Sequence, residues 1–275
     1  MTKVAALQMA SGPNINANLI EAGRLIAMAA GAGAKLVALP ENFPIMGMKE
    51  EDKVKVREPD GKGMMQDFLA EQAAKHKVWL VAGTIPLEAN DPNKVRAACL
   101  LYDDTGRRVA RYDKIHLFDV HLTEPGERYN ESASTEPGND VIVVDTPFGR
   151  LGLAICYDLR FPELFRQMVD QGAEIITLPS AFTAITGNAH WEILLRARAV
   201  ENLCYVIAPA QGGYHVNGRE TYGDSMIVNP WGVILDRLPR GSGVVAGEVD
   251  LPYLKSLRRS FPVLEHRKLH CSTNS

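Results

Sequence analysis

The most informative stretch of the chain is RLGLAICYDLRFPE, residues 150–163. Every second residue from 151 to 155 is a bulky apolar side chain, as in a buried strand, and the apolar run ends at Cys156. The dipeptide Pro162-Glu163 predicts the first turn of a helix, because proline fits there and an acidic residue favours the positive end of the helix dipole. We therefore expect a strand–turn–helix elbow that projects the Cys156 sulfur into a pocket, where backbone N–H groups can stabilise an oxyanion.

The four cysteines of the chain do not form a recognisable framework. Cys99 and Cys204 lie in apolar, strand-like runs and are expected to be inert core residues, and Cys271 lies in a polar tail. Since no CxxC pair occurs, we expect neither disulfides nor a metal site. A buried cysteine is commonly a small hydrophobic group, so other residues must decide whether Cys156 is more than that.

Composition and charge indicate a globular protein that acts on a small molecule. The chain has 275 residues, of which 46% are hydrophobic and 23% charged, and this favours a packed core over disorder. A net charge of −3 without a long basic run gives no electrostatic basis for binding nucleic acid. The first apolar run is too short for a signal peptide, and no stretch is long enough to span a membrane. We therefore predict a cytoplasmic protein without nucleic-acid or membrane partners.

The order of apolar runs predicts a mixed α/β fold. Residues 3–39 have the pattern strand, helix, strand, which is a βαβ unit, whereas residues 96–112 indicate an antiparallel hairpin. Parallel units combined with hairpins favour two sheets with helices outside them. We therefore expect a four-layer or sandwich-like α/β domain rather than a single Rossmann sheet.

With no obvious linker, we expect one domain over residues 1–262 and a C-terminal tail over residues 263–275. The least regular stretch, residues 119–139, is rich in Glu, Gly, Pro and Ser and is expected to form a loop over a site. A helix is predicted over residues 189–202, and the side chains expected on its buried face are Leu194, Ala197 and Val200.

Two polar residues with catalytic potential follow predicted strands. Glu41 in LPE follows the strand at residues 36–39, and Lys114 in YDKIHLF follows another. Catalytic groups collect at the carboxyl ends of strands in α/β folds, because the loops there surround a crevice. Each residue also has a simpler explanation: Glu41 as a helix cap or surface residue, Lys114 as a solvated lysine, and the neighbouring His116 as a packed side chain.

Taken together, a glutamate, a lysine and a cysteine suffice to hydrolyse an amide. A free thiol has a pKa of about 8.5, so the thiolate is a minor species at neutral pH. A carboxylate whose pKa is raised by burial can take the thiol proton as general base and return it to the departing nitrogen. An ammonium group stabilises the thiolate and the oxyanion. This thioester route needs no metal or organic cofactor, and we predict none.

The three motifs, in this order, resemble the nitrilase (carbon–nitrogen hydrolase) superfamily over nearly the whole chain. They are Glu41 in LPEN, Lys114 in YDKIHL and Cys156 in ICYDLRFPE. The resemblance implies that Glu41 is the base, that Lys114 supports the oxyanion and that Cys156 is the nucleophile. It also implies a second, supporting glutamate, for which Glu131 in YNES is the match. The fold it implies is a four-layer α-β-β-α sandwich that forms homodimers through helix packing.

Later motifs resemble the deaminated glutathione amidase branch of that superfamily. They include PSAF at residues 179–182, AHWE at 189–192, LLRARA at 194–199 and CYVIA at 204–208. The resemblance implies an amidase that hydrolyses a primary amide of a small carboxylate-bearing substrate and releases ammonia. The omega-amidases, which act on alpha-ketoglutaramate, share the three catalytic motifs and are the alternative.

Two residues after the nucleophile are expected to assist the site. Arg160 is the expected substrate-binding residue, since a carboxylate-bearing substrate needs a cationic partner. An ion pair to Asp158 or Glu163 that holds the turn is an equally simple role for Arg160. Asp158 is expected to accept a hydrogen bond in the turn after Cys156 and so to support the site.

Two other interpretations stay open. A Cys–His hydrolase would use His116 or His190 as its base, although no papain- or caspase-like sequence surrounds Cys156. A binding or scaffold protein would keep the fold without turnover, although the chain retains the glutamate, the lysine and the cysteine.

Overall fold

Two mixed β-sheets form the centre of the protein in the computed structural model, which describes residues 1–121 and 128–269. The strands are β1 (Thr2–Gln8), β2 (Leu36–Ala38), β3 (Trp79–Val81), β4 (Ile85–Glu88), β5 (Val95–Tyr102), β6 (Arg108–Asp113), β7 (Asp119–His121), β8 (Arg128–Asn130), β9 (Val143–Thr146), β10 (Gly149–Leu153), β11 (Ile175–Thr177), β12 (Tyr205–Ala208), β13 (Gly212–Tyr214), β14 (Glu220–Tyr222), β15 (Ser225–Val228), β16 (Ile234–Leu238) and β17 (Gly243–Val249). The α-helices are α1 (Ile15–Gly31), α2 (Asp52–Lys55), α3 (Met64–His76), α4 (Pro162–Asp170), α5 (Ala184–Asn202) and α6 (Leu251–Ser260).

Each sheet has a parallel centre and antiparallel flanks. The first runs in the order β17-β1-β2-β3-β5-β4, with β6 paired to β5, and the second runs β16-β15-β12-β11-β10-β9. Strands β1, β2 and β3 are parallel, as are β10, β11 and β12. The βαβ unit predicted at residues 3–39 and the hairpin predicted at 96–112 are both confirmed, since β1 pairs with β2 and β5 with β6.

The alternation of side chains along the strands separates the layers. In the first sheet Leu7 packs with α1 and α3, whereas its neighbour Ala6 belongs to the core shared with the second sheet. In the second sheet a side chain at Gly152 would meet the Met168 sulfur of α4 at 2.7 Å, while Leu153 points to the opposite face. Helices therefore cover the outer faces and apolar side chains fill the space between the sheets. The predicted four-layer α-β-β-α architecture is confirmed.

Helix α5 differs from its prediction in both length and orientation. It begins at Ala184, five residues before the predicted start, where the Thr183 side chain accepts a hydrogen bond from the Thr186 N–H and caps the helix. The predicted buried face is wrong, since Val200 is exposed. The buried stripe includes polar residues that apolar periodicity passes over; it consists of Thr186, Gly187, Trp191, Leu195, Arg198, Ala199 and Asn202.

The irregular segment predicted at residues 119–139 lies partly outside the described residues. In the described part, β7 pairs antiparallel with β8 and residues 131–133 form a short 3₁₀ turn. Cys271 lies outside the described residues, and the division at residue 262 remains a prediction. Within residues 1–121 and 128–269, no helix is both long and apolar enough to cross a membrane.

Candidate active site

Cys156 occupies a sharp elbow between the second sheet and helix α4. The chain leaves β10 in extended conformation, and Cys156 then takes a φ of 45°, a left-handed value that is uncommon for a residue with a side chain. The Cys156 N–H donates to the Pro179 carbonyl at 2.9 Å, and a 3₁₀ turn from Cys156 to Arg160 leads into the helix at Pro162. The predicted elbow is confirmed, and backbone strain of this kind is typical of functional positions.

Glu41, Lys114 and Glu131 form a buried chain of charges. The Lys114 Nζ donates to Glu41 Oε1 at 2.8 Å and to Glu131 Oε2 at 2.8 Å. The Phe118 N–H also donates to Glu131, at 2.7 Å, and this fixes the carboxylate. Lys114 is only 2% exposed, so its charge is compensated by two carboxylates rather than by water. The residues predicted to be base, oxyanion support and supporting glutamate therefore lie together.

The Cys156 sulfur lies beside this charged chain. The Ala181 N–H points at the sulfur at 3.5 Å, and the Glu41 carboxylate is close enough to the thiol for each group to shift the pKa of the other. In the described part of the chain, no imidazole is hydrogen-bonded to the sulfur, and His116 is engaged elsewhere. This arrangement favours Glu41 over a histidine as the partner of the thiol.

Burial and mutual contact determine the charges of the three residues. Burial alone raises the pKa of Glu41, but the charge and hydrogen bond of Lys114 outweigh it and lower that pKa. Burial lowers the pKa of Lys114, but Glu131 and Glu41 raise it well above its ordinary value. Burial and then the Glu41 charge raise the pKa of Cys156 well above its ordinary value, against the opposing effect of Lys114. The resting site thus holds a carboxylate, an ammonium group and a neutral thiol. The raised pKa that burial suggested for Glu41 is reversed by its contact with Lys114.

The backbone that carries Glu41 is held from two sides. Gln211 donates from Nε2 to the Glu41 carbonyl at 3.1 Å and to the Ser11 hydroxyl at 2.8 Å. Gly83 approaches from the other side, and a Cβ at this position would lie 2.0 Å from the Pro40 carbonyl oxygen. Sequence patterns did not identify these residues, because neither carries chemistry and both act through distant backbone.

Asp158 accepts hydrogen bonds that hold the elbow in place, as predicted. One carboxylate oxygen accepts from the Ile155 N–H at 2.8 Å and from the Tyr112 hydroxyl at 2.7 Å. The other accepts from the His116 N–H at 3.1 Å and lies 2.7 Å from its Nδ1. The His116 ring stacks on Phe161 at 3.7 Å. Tyr112 and His116 therefore belong to the support of the site, a role that their apolar surroundings in sequence conceal.

A cavity of about 520 Å³ opens above the sulfur, a size suited to a small organic ligand. Arg160 lines it, with its guanidinium 5.2 Å from the centre of the Phe182 ring and 5.8 Å from that of Tyr157. Arg160 contacts His190 at 3.2 Å, and within residues 1–121 and 128–269 it forms no ion pair with a carboxylate. The alternative role of Arg160 as an ion-pair partner of Asp158 or Glu163 is therefore wrong.

The rim of the cavity carries charged residues that the sequence did not single out. Lys53 of helix α2 donates to Glu50 at 2.9 Å, and Arg219 approaches Glu50 at 4.0 Å. The Lys53 charge, against the opposing effect of burial, lowers the pKa of Glu50 to about 2. Their spacing in sequence gives no signal, because the loops that bring them together belong to different parts of the chain. The described residues hold no cluster of three or more His, Cys, Asp or Glu suited to a metal ion.

The geometry agrees with a match over almost the whole chain. The family model for carbon–nitrogen hydrolases matches residues 3–259. The chain belongs to the carbon–nitrogen hydrolase family. The superfamily membership predicted from the three motifs is confirmed.

Similar proteins extend this assignment. The hydrolase is 44% identical over 266 residues to the deaminated glutathione amidase of Synechocystis, covering 96% of this chain and 97% of that protein. It is 41% identical over 269 residues to human deaminated glutathione amidase, covering 96% of this chain and 82% of the human protein. A solved Saccharomyces cerevisiae structure, described as a member of branch 10 of the nitrilase superfamily, matches with a TM-score of 0.87 and 32% identity. That match covers 98% of this chain and 97% of the yeast chain.

Proposed function

We propose that this hydrolase is an amidase in which Cys156 is the nucleophile, Glu41 the general base and Lys114 the oxyanion support. The observation that carries the proposal is the meeting of Glu41, Lys114 and Cys156 at one cavity, where the Lys114 ammonium donates to Glu41 at 2.8 Å and the ionised Glu41 lies near the Cys156 thiol. A neutral thiol beside a carboxylate is the state from which a base can remove the proton as the sulfur attacks.

The proposed reaction has two stages. Glu41 takes the thiol proton while the Cys156 sulfur bonds to the amide carbonyl carbon, and the carbonyl oxygen becomes an oxyanion beside Lys114. When the carbonyl re-forms, the C–N bond breaks and Glu41 returns the proton to the departing nitrogen. Glu41 then removes a proton from water, which attacks the thioester and releases the acid. The sulfur recovers its proton from Glu41.

Charge compensation allows Glu41 both to take up the thiol proton and to return it. The Lys114 ammonium lowers the pKa of Glu41 in the resting site, which keeps the base ionised. An oxyanion near Lys114 offsets part of that ammonium charge, so the Glu41 carboxyl holds its proton more tightly at the moment when it must carry it. Glu131 keeps Lys114 charged throughout, and this is the supporting role we propose for it.

The substrate we propose is deaminated glutathione, the compound named in similar proteins at 44% and 41% identity. Both amides of glutathione are secondary, so hydrolysis of this substrate releases an amine in place of ammonia. A primary amide such as alpha-ketoglutaramate, the alternative substrate, releases ammonia instead. Arg160 is proposed to bind a substrate carboxylate, because its guanidinium lines the cavity without a carboxylate partner among the described residues.

The experiment that tests the function compares the two substrates on the purified protein. We expect release of an amine from deaminated glutathione at a higher kcat/KM than release of ammonia from alpha-ketoglutaramate. Cys156→Ala abolishes both reactions and the acyl adduct seen by mass spectrometry, whereas Cys204→Ala, at a buried position, keeps the chemistry. Normal turnover by Cys156→Ala would sink the mechanism. Tight binding of substrate without any turnover would favour the scaffold interpretation.

A homodimer is proposed as the oligomeric state. Support comes from α5, where three apolar side chains are exposed: Ile185, Ile193 and Val200. Sedimentation velocity is expected to find a species of twice the chain mass of 30.2 kDa. A monomer at micromolar concentration contradicts the proposal. The cytoplasmic location and the lack of nucleic-acid partners remain predictions.

A further inference from the structure

Arg219 is a second arginine of the cavity and is held in a defined orientation. It lies between β13 and β14, and its Nη2 donates to the Ala181 carbonyl at 2.8 Å. Its guanidinium lies 5.3 Å from the centre of the Tyr129 ring. A hydrogen bond on one edge and a ring on one face fix the guanidinium before any ligand arrives, which reduces the entropy lost on binding.

Most hydrogen-bond donors of Arg219 have no acceptor within residues 1–121 and 128–269. The Nε is buried without a partner, and Nη1 has only the Glu50 carboxylate at 4.0 Å. Glu50 is closer to Lys53, at 2.9 Å, so its charge is already compensated. The Arg219 side chain is 17% exposed, and it lines the cavity. A partly dehydrated guanidinium with unused donors favours a carboxylate ligand.

The position of Arg219 relative to the nucleophile follows from their shared contact with Ala181. The Ala181 N–H points at the Cys156 sulfur at 3.5 Å, and the carbonyl of the same residue accepts from Arg219 at 2.8 Å. With ordinary backbone dimensions, these contacts put the guanidinium within about 10 Å of the sulfur. Two residues of extended chain span at most about 7 Å, so a carboxylate two residues beyond the scissile carbonyl can reach Arg219.

We propose that Arg219 binds the terminal carboxylate of the leaving group, and that Arg160 binds the carboxylate on the acyl side. Deaminated glutathione has both groups, since its leaving part is the dipeptide cysteinylglycine, whereas alpha-ketoglutaramate lacks the second. Arg219 lies by the exposed Glu50 at the rim, where the end of a long substrate emerges, whereas Arg160 follows the nucleophile on its own turn. Arg219 is thus a specificity-determining residue. This inference rests on the proposed substrate.

The test is a thermodynamic cycle on a protein that binds without turnover. In a Cys156→Ala background, calorimetry measures the affinity for deaminated glutathione and for its terminal amide, in which the glycine carboxylate is replaced by CONH₂. We expect Arg219→Gln and the terminal amide each to weaken binding about 10–100-fold, the range for a hydrogen-bonded ion pair. The two losses are not additive, because each removes the same contact. Arg240→Gln, at an exposed arginine outside this cavity, is the matched control and is expected to change binding less than 2-fold.

The outcomes separate this inference from the proposed function. Additive losses, no loss on Arg219→Gln, or no binding of deaminated glutathione overturn the inference. Arg219→Lys keeps the positive charge and removes the paired N–H donors of the guanidinium, and we expect an intermediate affinity. This second variant keeps the test valid if Arg219→Gln fails to fold. If the two losses of affinity are not additive but the unmodified protein does not hydrolyse deaminated glutathione, the proposed function alone is overturned. If the protein hydrolyses deaminated glutathione but the two losses of affinity are additive, only the role of Arg219 is overturned.

Discussion

At the scale of single residues, Lys114 controls the charge state of the site. It lies between Glu41 and Glu131, and its ammonium charge keeps the buried Glu41 ionised. The cost of burying a cation is offset because two carboxylates receive its hydrogen bonds. The thiol in turn stays neutral until its proton moves to Glu41. The site therefore holds the proposed base and the proposed nucleophile side by side without a free thiolate.

The lowered pKa of Glu41 predicts the pH dependence of the reaction. A base whose pKa lies below the ordinary value for glutamate, about 4.3, stays ionised at every higher pH. We therefore expect no acid limb from Glu41 in kcat/KM above about pH 5. The measurement is a profile from pH 8 to pH 4, with circular dichroism at each point to exclude unfolding. A fall in kcat/KM near pH 6, at a pH where circular dichroism shows that the protein is still folded, contradicts this charge assignment.

Asp158→Asn is predicted to impair the elbow. The carboxylate accepts from Ile155, Tyr112 and His116 through both of its oxygens. The asparagine amide has only one oxygen, and its NH₂ group would face donors with another donor. We expect a loss of about 1–3 kcal/mol in the free energy of unfolding. A misplaced nucleophile lowers kcat/KM by about 100-fold.

Thermal unfolding, kcat/KM and the alkylation rate of Cys156 measure these effects. Asp145→Asn is the control, because within residues 1–121 and 128–269 the only ion pair of that carboxylate is an exposed one with Arg150, and its replacement is expected to change stability by less than about 0.5 kcal/mol. Equal effects of the two substitutions on alkylation would show that Asp158 does not position the sulfur.

At the scale of elements, the ends of strands and the turns between them carry the specific contacts. Glu41 follows β2 and Lys114 follows β6 in the first sheet, whereas Cys156 follows β10 in the second. The turn between β5 and β6 is held by Asp103, which accepts from the Thr105 and Arg107 N–H groups and from the Arg107 side chain. The second strand of this hairpin, β6, ends directly before Lys114.

Asp103→Asn is predicted to weaken this hairpin without entering the site. Burial raises the pKa of Asp103, but hydrogen bonds from Thr105 and Arg107 outweigh it and lower that pKa to about 2. Because the folded value is below the unfolded one, about 3.9, the stabilisation is present above about pH 4 and is lost as the pH falls toward 2. We expect a loss of about 1–2 kcal/mol near neutral pH.

Denaturant unfolding at several pH values measures this contribution. The difference between the unmodified protein and Asp103→Asn shrinks as the pH falls from about 5 to 2. Asp104→Asn, at the exposed neighbour, is the control and is expected to leave stability and its pH slope nearly unchanged. A difference that is constant with pH contradicts the role of the carboxylate.

At the scale of the whole molecule, packing decides which cysteine is available. Cys99 and Cys204 lie in the core between and beside the sheets with no exposed surface, and burial raises the pKa of Cys204 to about 12. Cys156 borders the cavity instead. One architecture therefore keeps two thiols inert and presents a third to small molecules.

Thiol labelling of the folded protein tests this difference. In a Cys271→Ser variant, we expect a small alkylating reagent to modify Cys156 first, because Cys156 borders the cavity and Glu41 can accept its proton, and to reach Cys99 and Cys204 only on unfolding. Addition of Cys156→Ala removes the first phase, which identifies its source by mass spectrometry. First-phase labelling that persists without Cys156 contradicts the described core.

The amino-acid sequence by itself determined the family, the four-layer fold with its βαβ unit and hairpin, and the three residues proposed to react. These features depend on local patterns: an apolar period, a proline at a helix start, and short motifs around Glu41, Lys114 and Cys156. The contacts of Tyr112 and His116 with Asp158 follow no such pattern, so the supporting role of these two residues was not predicted.

Only the tertiary structure decided how these residues meet and what charges they carry. Glu41 and Lys114 are 73 residues apart in sequence yet share a hydrogen bond, and Cys156 joins them from the other sheet. A pKa depends on burial and on neighbouring charges, and both are properties of packing. The same reason explains the lowered pKa of Glu41, the buried polar stripe of α5 and the orientation of Arg219, none of which a linear pattern contains.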